Sequence, residues 1–128
     1  MVLDSSALVA IQLREPGFES LVEKIYAAEV VIVGVPTLLE TAIVLTGRFG
    51  YDARPVLSGF LTRIAAEIVP FQQVHLDAAI SAFIRFGKGR HPAALNFGDC
   101  MAYAVASVSG MPLLFTGNDF SRTGIAAA

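Results

Sequence analysis

Residues 1–13 read MVLDSSALVAIQL. Met1 to Leu3 is a short apolar run that predicts a buried strand, and Asp4 with the two serines after it is typical of the start of a helix. The apolar residues that follow predict that this helix runs through Leu13. A strand followed directly by a helix is the opening unit of an α/β fold.

The same alternation of strands and helices continues along the chain. Further apolar runs predict strands at residues 30–33, 67–71 and 112–115. Apolar spacing and cap residues predict helices at 18–28, from 36 to 47 or 50, and at 52–66, 77–86 and 96–109. Strands connected by helices form parallel sheets. The prediction is therefore a three-layer α/β sandwich with a four- to five-stranded, mainly parallel sheet and helices on both faces.

The composition predicts one folded domain over residues 1–128. Apolar residues make up 55% of the chain and charged residues only 16%, which excludes a disordered chain. The single cysteine, Cys100, excludes an internal disulfide framework and a zinc site built from several cysteines, and it indicates a cytoplasmic protein. With a net charge of −2, the chain would need a local basic patch to bind nucleic acid.

No membrane segment is predicted. The first ten residues lack the basic start of a signal peptide and carry an acid at position 4. Residues 100–118 are free of charge, but the turn-forming residues 109–112, Ser-Gly-Met-Pro, interrupt them. We interpret this stretch as the end of a helix, a turn and a buried strand.

Four acidic residues lie next to the predicted strands at the same end. Asp4 ends the first strand, and Asp119 comes just after the fourth. Glu40 and Asp99 are placed in the first turns of two helices, one after the second strand and one before the fourth. In a right-handed parallel sheet these positions all meet at the carboxyl edge, where open α/β sheets bind their ligands.

Such a cluster of acids predicts a divalent metal ion. Carboxylates within a few ångströms of one another repel unless a cation lies between them. A site made only of oxygen ligands favours Mg²⁺ or Mn²⁺ over zinc. The chemistry typical of such a site is hydrolysis of a phosphodiester bond by an activated water.

The acids lie in four ordered blocks of sequence, namely VLDSSALVA (2–10), LLETAIVL (38–45), GKGRHPAALNFGDCMAYAVA (87–106) and PLLFTGNDFSRTGI (112–125). In these blocks the chain resembles the PIN-domain ribonucleases, specifically the VapC toxins of type II toxin-antitoxin systems, over nearly its whole length. The resemblance implies a metal-dependent endoribonuclease that leaves a 5′-phosphate and a 3′-hydroxyl. It also implies a VapB-like antitoxin as partner, in a homodimer or a hetero-oligomer.

The same resemblance assigns roles to the acids. Asp4, Glu40, Asp99 and Asp119 become the catalytic, metal-binding set. Asp4 and Asp99 are expected to be direct ligands of Mg²⁺ or Mn²⁺. Glu40 and Asp119 are expected to complete the charge or to hold water.

Each acid also has a purely structural explanation. Asp4 suits the N-cap of the first helix, and Thr37-x-x-Glu40 has the form of a capping box. Asp99 would interact favourably with the macrodipole of its helix, and Asp119 suits a Gly-Asn-Asp turn. These explanations do not account for the presence of all four acids at one edge of one sheet, which favours the metal site.

Three polar residues are predicted to support the acids. Ser6 either hydrogen-bonds a ligand carboxylate or caps the first helix, and Thr116 is a similar case. Asn96 is predicted to cap the helix that carries Asp99 and so to orient that aspartate. Cys100 is interpreted as a buried, inert thiol.

A cluster of basic residues precedes the Asp99 block: Arg85, Lys88, Arg90 and His91. It is either a solvated loop or a rim that binds the phosphates of RNA beside the acidic site. Phe83, Phe86 and residues 43–45 are interpreted as core. The large share of apolar residues also indicates a dimer face or a groove for a partner.

Two other classes of function are less consistent with the sequence. A receiver-type phosphoacceptor needs a pair of acids after the first strand and a lysine late in the chain, whereas Asp4 is followed by serines and the last lysine is Lys88. A PIN-fold module that binds RNA or protein without cleaving it remains the alternative. The presence of all four acids argues against that alternative.

Overall fold

The computed structural model describes all 128 residues and shows strands and helices in the predicted alternating order. The strands are Val2–Leu3 (β1), Ile32–Gly34 (β2), Glu67–Val69 (β3) and Leu113–Leu114 (β4). The helices are Ser5–Leu13 (α1), Phe18–Ala27 (α2), Val35–Phe49 (α3), Arg54–Arg63 (α4), Gln73–Phe86 (α5) and Phe97–Ser109 (α6). A short 3₁₀ helix follows at Phe120–Arg122.

The four strands form one parallel sheet in the order β3-β2-β1-β4. Val2 pairs with Ile32 on one side and with Leu113 on the other, so β1 is a central strand, and the chain crosses from β3 at one edge to β4 at the other through helices. At the β4 edge, Ala127 forms a single parallel bridge with Leu113 in place of a fifth strand. The predicted α/β class is confirmed, and the sheet has the smaller of the two predicted strand numbers.

Alternate residues of β1, β2 and β4 enter two separate apolar cores. Leu3, Val33 and Leu114 pack with residues of α1 to α4 in one core. Their neighbours Val2, Ile32 and Leu113 pack with α5 and α6 in the other. Because a strand that is apolar on both sides is covered on both sides, the molecule is a three-layer sandwich.

Several predicted boundaries were wrong by a few residues. The second strand begins at Ile32, and Val30 is 43% exposed. The third strand ends at Val69, just before Pro70. Helix α5 begins at Gln73, four residues before the predicted start, because Gln72 and His75 form a reciprocal cap at its N-terminus.

The apolar stretches of α3 and α5 are only partly core. Leu45 and Phe86 are buried as predicted. Ile43, Val44 and Phe83 are exposed, so the interpretation of these three as core was wrong. They lie on the outer faces of their helices, which leaves apolar surface on the molecule.

No helix in the structure combines the length and the apolar character needed to cross a membrane. The charge-free residues 100–118 form most of α6, a left-handed turn at Gly110, and β4. Glycine suits this turn because its φ of 65° is unfavourable for other residues.

Candidate active site

Asp4 lies at the carboxyl end of β1 and also caps α1. Its backbone N–H donates to the carbonyl of Leu114 at 2.9 Å, which ties it to the end of β4. Its Oδ2 accepts hydrogen bonds from the N–H of Ser6 at 3.0 Å and from the Ser6 hydroxyl at 2.5 Å. Asp4 is only 3% exposed, and burial raises the pKa of its carboxyl although the Ser6 hydrogen bonds oppose the change. Asp4 therefore caps α1 and also lies at the predicted position at the end of β1.

The hydroxyl of Ser6 connects Asp4 to the loop after β4. The hydroxyl donates a hydrogen bond to Asp4, and its oxygen accepts one from the backbone N–H of Thr116 at 3.0 Å. Ser6 and Thr116 thus lie beside the acid they were predicted to support. It is the backbone of Thr116 that makes this contact.

We expect Ser6→Ala to lower the free energy of unfolding by about 1–2 kcal/mol, because the change removes one hydrogen bond to a buried carboxylate and leaves the Thr116 N–H without its acceptor. Urea unfolding measures the effect. Ser20→Ala is the matched control, since Ser20 is exposed on α2 and its hydroxyl makes no hydrogen bond. Equal stability of the two variants would contradict the proposed link between β1 and β4.

Glu40 comes from the second turn of α3. The helix begins at Val35 after Gly34, so Glu40 is not in the first turn and the predicted Thr37–Glu40 capping box was wrong. The carboxylate reaches toward α1 instead, where its Oε1 accepts the Ser5 hydroxyl at 2.9 Å. Ser5 was not singled out from the sequence, because only the packing of α1 against α3 brings it to Glu40.

Asp99 is the third residue of α6 and is held by Asn96 as predicted. The side chain of Asn96 accepts the Asp99 N–H at 2.9 Å, and Oδ2 of Asp99 accepts the Asn96 N–H at 2.8 Å. Burial, followed by the negative charges of Asp4, Asp119 and Glu40, raises the pKa of Asp99 to about 6. The contacts agree with this: Glu40 accepts the hydroxyl of Ser5, the residue after Asp4, and its carboxylate lies against Gly98, the residue before Asp99.

Asp119 is the most exposed member of the group. It occupies the residue before the 3₁₀ helix, but its side chain makes no capping hydrogen bond. Its charge acts on Asp99 through space. The loop after β4 therefore carries an exposed carboxylate without a capping role.

No cationic side chain neutralises these acids. The only salt bridge in the structure joins Arg54 and Asp52 on the exposed surface, at 2.8 Å. No three Asp, Glu, His or Cys side chains are close enough to hold a metal ion as they stand. The donor set is nevertheless all oxygen and carries a net negative charge, which is the chemistry of an Mg²⁺ or Mn²⁺ site.

Cys100 is buried next to Asp99. Burial, with a smaller effect of the Asp99 charge, raises the pKa of its thiol. A raised pKa reduces the thiolate fraction, which agrees with the prediction of an inert thiol.

The basic cluster lies at the same end of the molecule as Asp99. Residues 87–95 leave the C-terminus of α5 and lead directly into α6, and the Lys88 N–H donates to the Leu95 carbonyl at 2.9 Å. Leu95 precedes Asp99 by four residues, so Lys88 is held near the first turn of α6. Arg85 and Arg90 are exposed and lie over the rings of Phe86 and Phe83. The Nδ1 of His91 accepts the N–H of Ala93, so one ring nitrogen is already engaged.

The sequence model of the PIN domain family matches residues 1–126, and the parallel three-layer sandwich agrees with that family. At the level of individual relatives, the chain is 43% identical over 126 residues to the VapC ribonuclease Mb0640 of Mycobacterium bovis, covering 98% of this chain and 96% of that protein. It is 46% identical over 127 residues to the ribonuclease VapC of Mycolicibacterium smegmatis, with 99% and 98% covered. The chain belongs to the PIN domain family and, within it, to the VapC ribonucleases.

Solved structures share the fold at lower identity. The crystal structure of Mycobacterium tuberculosis VapC20, described as a toxin that cleaves the sarcin-ricin loop, superposes with a TM-score of 0.77 at 18% identity and covers 99% of this chain and 97% of its own. A toxin-antitoxin complex from Klebsiella pneumoniae contains a chain that superposes with a TM-score of 0.70 at 15% identity, with 99% and 95% covered. At these identities the likeness concerns the fold.

Proposed function

We propose that this protein is a metal-dependent endoribonuclease, the toxin of a VapBC-type toxin-antitoxin pair, and that it hydrolyses RNA phosphodiester bonds with water as the nucleophile. The observation that carries the proposal is the convergence of Asp4, Glu40, Asp99 and Asp119 at the carboxyl edge without a neutralising cation. The names of the VapC relatives support RNA as the substrate.

Asp4 and Asp99 are the proposed direct ligands of Mg²⁺ or Mn²⁺, and Glu40 and Asp119 complete the charge. When bound, the ion activates the attacking water and stabilises the leaving oxygen. Asp4 is oriented by Ser6, and Asp99 is oriented by Asn96. In each aspartate the hydrogen bonds engage Oδ2, so Oδ1 is available as the proposed ligand atom.

The basic cluster is the proposed contact with the RNA backbone. An acidic protein that binds a polyanion needs local cations beside the acidic site, and Lys88 and Arg90 are exposed in the loop that leads into α6. The rings beneath Arg85 and Arg90 hold these guanidinium groups at the surface without neutralising them.

We expect the double variant Lys88→Gln and Arg90→Gln to weaken RNA binding and to reduce the slope of log K against log salt by about 1.4, because each lost phosphate contact removes about 0.7 for single-stranded RNA. Fluorescence anisotropy with an Asp99→Asn background, which prevents cleavage, measures both quantities. Arg48→Gln is the control, since Arg48 is exposed in the last turn of α3, about 12 Å along the helix from Glu40. The same slope for both proteins would contradict this role.

A VapB-like antitoxin is the proposed partner, and the surface offers a place for it. A groove of about 680 Å³ lies between α3 and α4, and most of its lining is apolar. Leu39 and Ile68 in this groove are 61% and 53% exposed, and they belong to one contiguous apolar surface. A second apolar surface on α5 and α6, around Ile80 and Phe97, leaves room for a homodimer or a hetero-oligomer.

The function is tested by incubating the purified protein with total bacterial RNA in Mg²⁺ or Mn²⁺ and sequencing the new 5′ ends. We expect cleavage at a small number of sites with Mg²⁺ or Mn²⁺, none with EDTA, and none with Asp99→Asn. RNA that is bound but stays intact under all conditions would contradict the proposal and support a non-catalytic RNA-binding module.

A further inference from the structure

We propose that Gly98 is a positioning residue: its missing side chain leaves the space in which the Glu40 carboxylate lies beside Asp99. A Cβ atom at position 98 would lie 2.7 Å from Cδ of Glu40 and 3.0 Å from its Oε1, which is far closer than van der Waals contact. The nearest atoms to such a Cβ all belong to the Glu40 carboxylate. The role that we assign to Gly98 in the active site rests on the proposed function.

The backbone does not explain the glycine. Gly98 is absent from the residues with positive φ, so position 98 has a conformation open to any amino acid. It is the second residue of α6, where alanine favours the helix more than glycine does. The backbone conformation therefore does not account for a glycine at position 98. The close approach of the Glu40 carboxylate does account for it.

Two other glycines also lack space for a side chain, but their neighbours are not acidic. At Gly34 a Cβ would meet Val105, and at Gly87 it would meet the backbone oxygen and the ring of Phe83. Those contacts belong to the packing of the core and of the α5 C-terminus. At Gly98 the obstacle is the flexible end of a single acidic side chain, so a substitution displaces the acid and leaves the fold intact.

The opposite side of the same carboxylate is held by α1. The Ser5 hydroxyl donates to Oε1 of Glu40 at 2.9 Å. Glu40 therefore extends from α3 into a gap between Ser5 of α1 and the backbone of α6 at Gly98, the residue that precedes Asp99. A methyl group on Gly98 closes this gap and moves the carboxylate away from Ser5 and from Asp99.

The test compares Gly98→Ala, Glu40→Asp and the double variant by calorimetric titration with Mn²⁺. We expect Gly98→Ala to remain folded and to bind Mn²⁺ about tenfold more weakly than the unaltered protein. The shorter side chain of Glu40→Asp does not reach into the gap. In that background we expect Gly98→Ala to change the Mn²⁺ affinity by less than about threefold. Gly47→Ala is the control, because a Cβ at that helical glycine of α3 meets no atom within 4 Å.

A second measurement needs no metal. In EDTA, Ser5→Ala lowers the melting temperature of the unaltered protein through the lost hydrogen bond to Glu40, and we expect a clearly smaller decrease in the Gly98→Ala background. If the unaltered protein binds no Mn²⁺, the proposed function fails while this cycle still tests the contact. Equal effects of Ser5→Ala in both backgrounds, or Mn²⁺ affinity unchanged by Gly98→Ala, would overturn the role of Gly98.

Discussion

Asp99→Asn is expected to reduce metal-dependent RNA cleavage at least about 100-fold while raising the stability of the metal-free protein at pH 7. The loss of activity follows because an amide is a neutral and poorer ligand for Mg²⁺ or Mn²⁺. The gain in stability follows because partial burial, and after it the charges of three other acids, disfavour ionised Asp99 and raise its pKa to about 6. The asparagine oxygen still accepts the Asn96 N–H, so the cap of α6 is kept.

The stability effect has a defined dependence on pH. A pKa of about 6 in the folded state lies above the ordinary value of 3.8, so the folded protein binds the Asp99 proton more tightly than the unfolded chain does. This contribution to stability is present below about pH 4 and is lost as the pH rises through 6. At pH 7 we expect the free energy of unfolding of Asp99→Asn to be higher by about 1 kcal/mol. The full pKa difference would correspond to a larger value, but solvent screens the partly exposed side chain.

Thermal unfolding in EDTA between pH 4 and 8 measures this difference. Asp77→Asn is the matched control, since Asp77 is an exposed acid on α5 away from the acidic group. An Asp99→Asn variant that is less stable than the unaltered protein at pH 7 would show that the aspartate serves the helix cap alone. A variant that still cleaves RNA at the normal rate would remove Asp99 from the active site.

Addition of Mn²⁺ is expected to produce the second large effect, a stabilisation of about 2.7 kcal/mol at one hundred times the dissociation constant. The ion binds the folded state and relieves the repulsion between Asp4, Glu40, Asp99 and Asp119, whereas the unfolded chain does not hold these acids together. Differential scanning fluorimetry records the effect as a rise of several degrees in melting temperature. EDTA reverses the rise and stops cleavage.

Asp4→Asn separates this stabilisation from a general effect of salt. Its side-chain oxygen still accepts from Ser6, so α1 keeps its cap, but the ligand charge at the end of β1 is lost. We expect the melting temperature of Asp4→Asn to be insensitive to Mn²⁺. A rise equal to that of the unaltered protein would indicate binding elsewhere on the acidic surface.

Much of the fold could be predicted because local and global signals agree. Val2 and Leu3 of the first apolar run are buried on opposite faces of the sheet, and a short strand followed by an Asp N-cap predicts both β1 and α1. Asn96 and Asp99 could be predicted as a reciprocal cap because the two residues are three apart in one helix. Interactions of this kind depend only on neighbouring positions.

The features that escaped prediction depend on contacts between distant segments. The start of α3 at Val35 depends on where β2 ends, and it moved Glu40 into the second turn. Ser5 lies near Glu40 only because α1 packs on α3, and the lack of space at Gly98 appears only when α3 meets α6. The exposure of Ile43 and Val44 likewise reflects which face of α3 meets the core, and a continuous apolar run does not specify that face.

Asp4, Glu40, Asp99 and Asp119 are expected to form one site for a divalent ion, and the decisive experiment is calorimetric titration of Mn²⁺ into the purified protein and into its Asp99→Asn variant. We predict saturable binding to the unaltered protein at pH 7.5 and its loss in the variant. A well-folded protein that binds no Mn²⁺, or a variant that binds it with the same affinity, would contradict the claim.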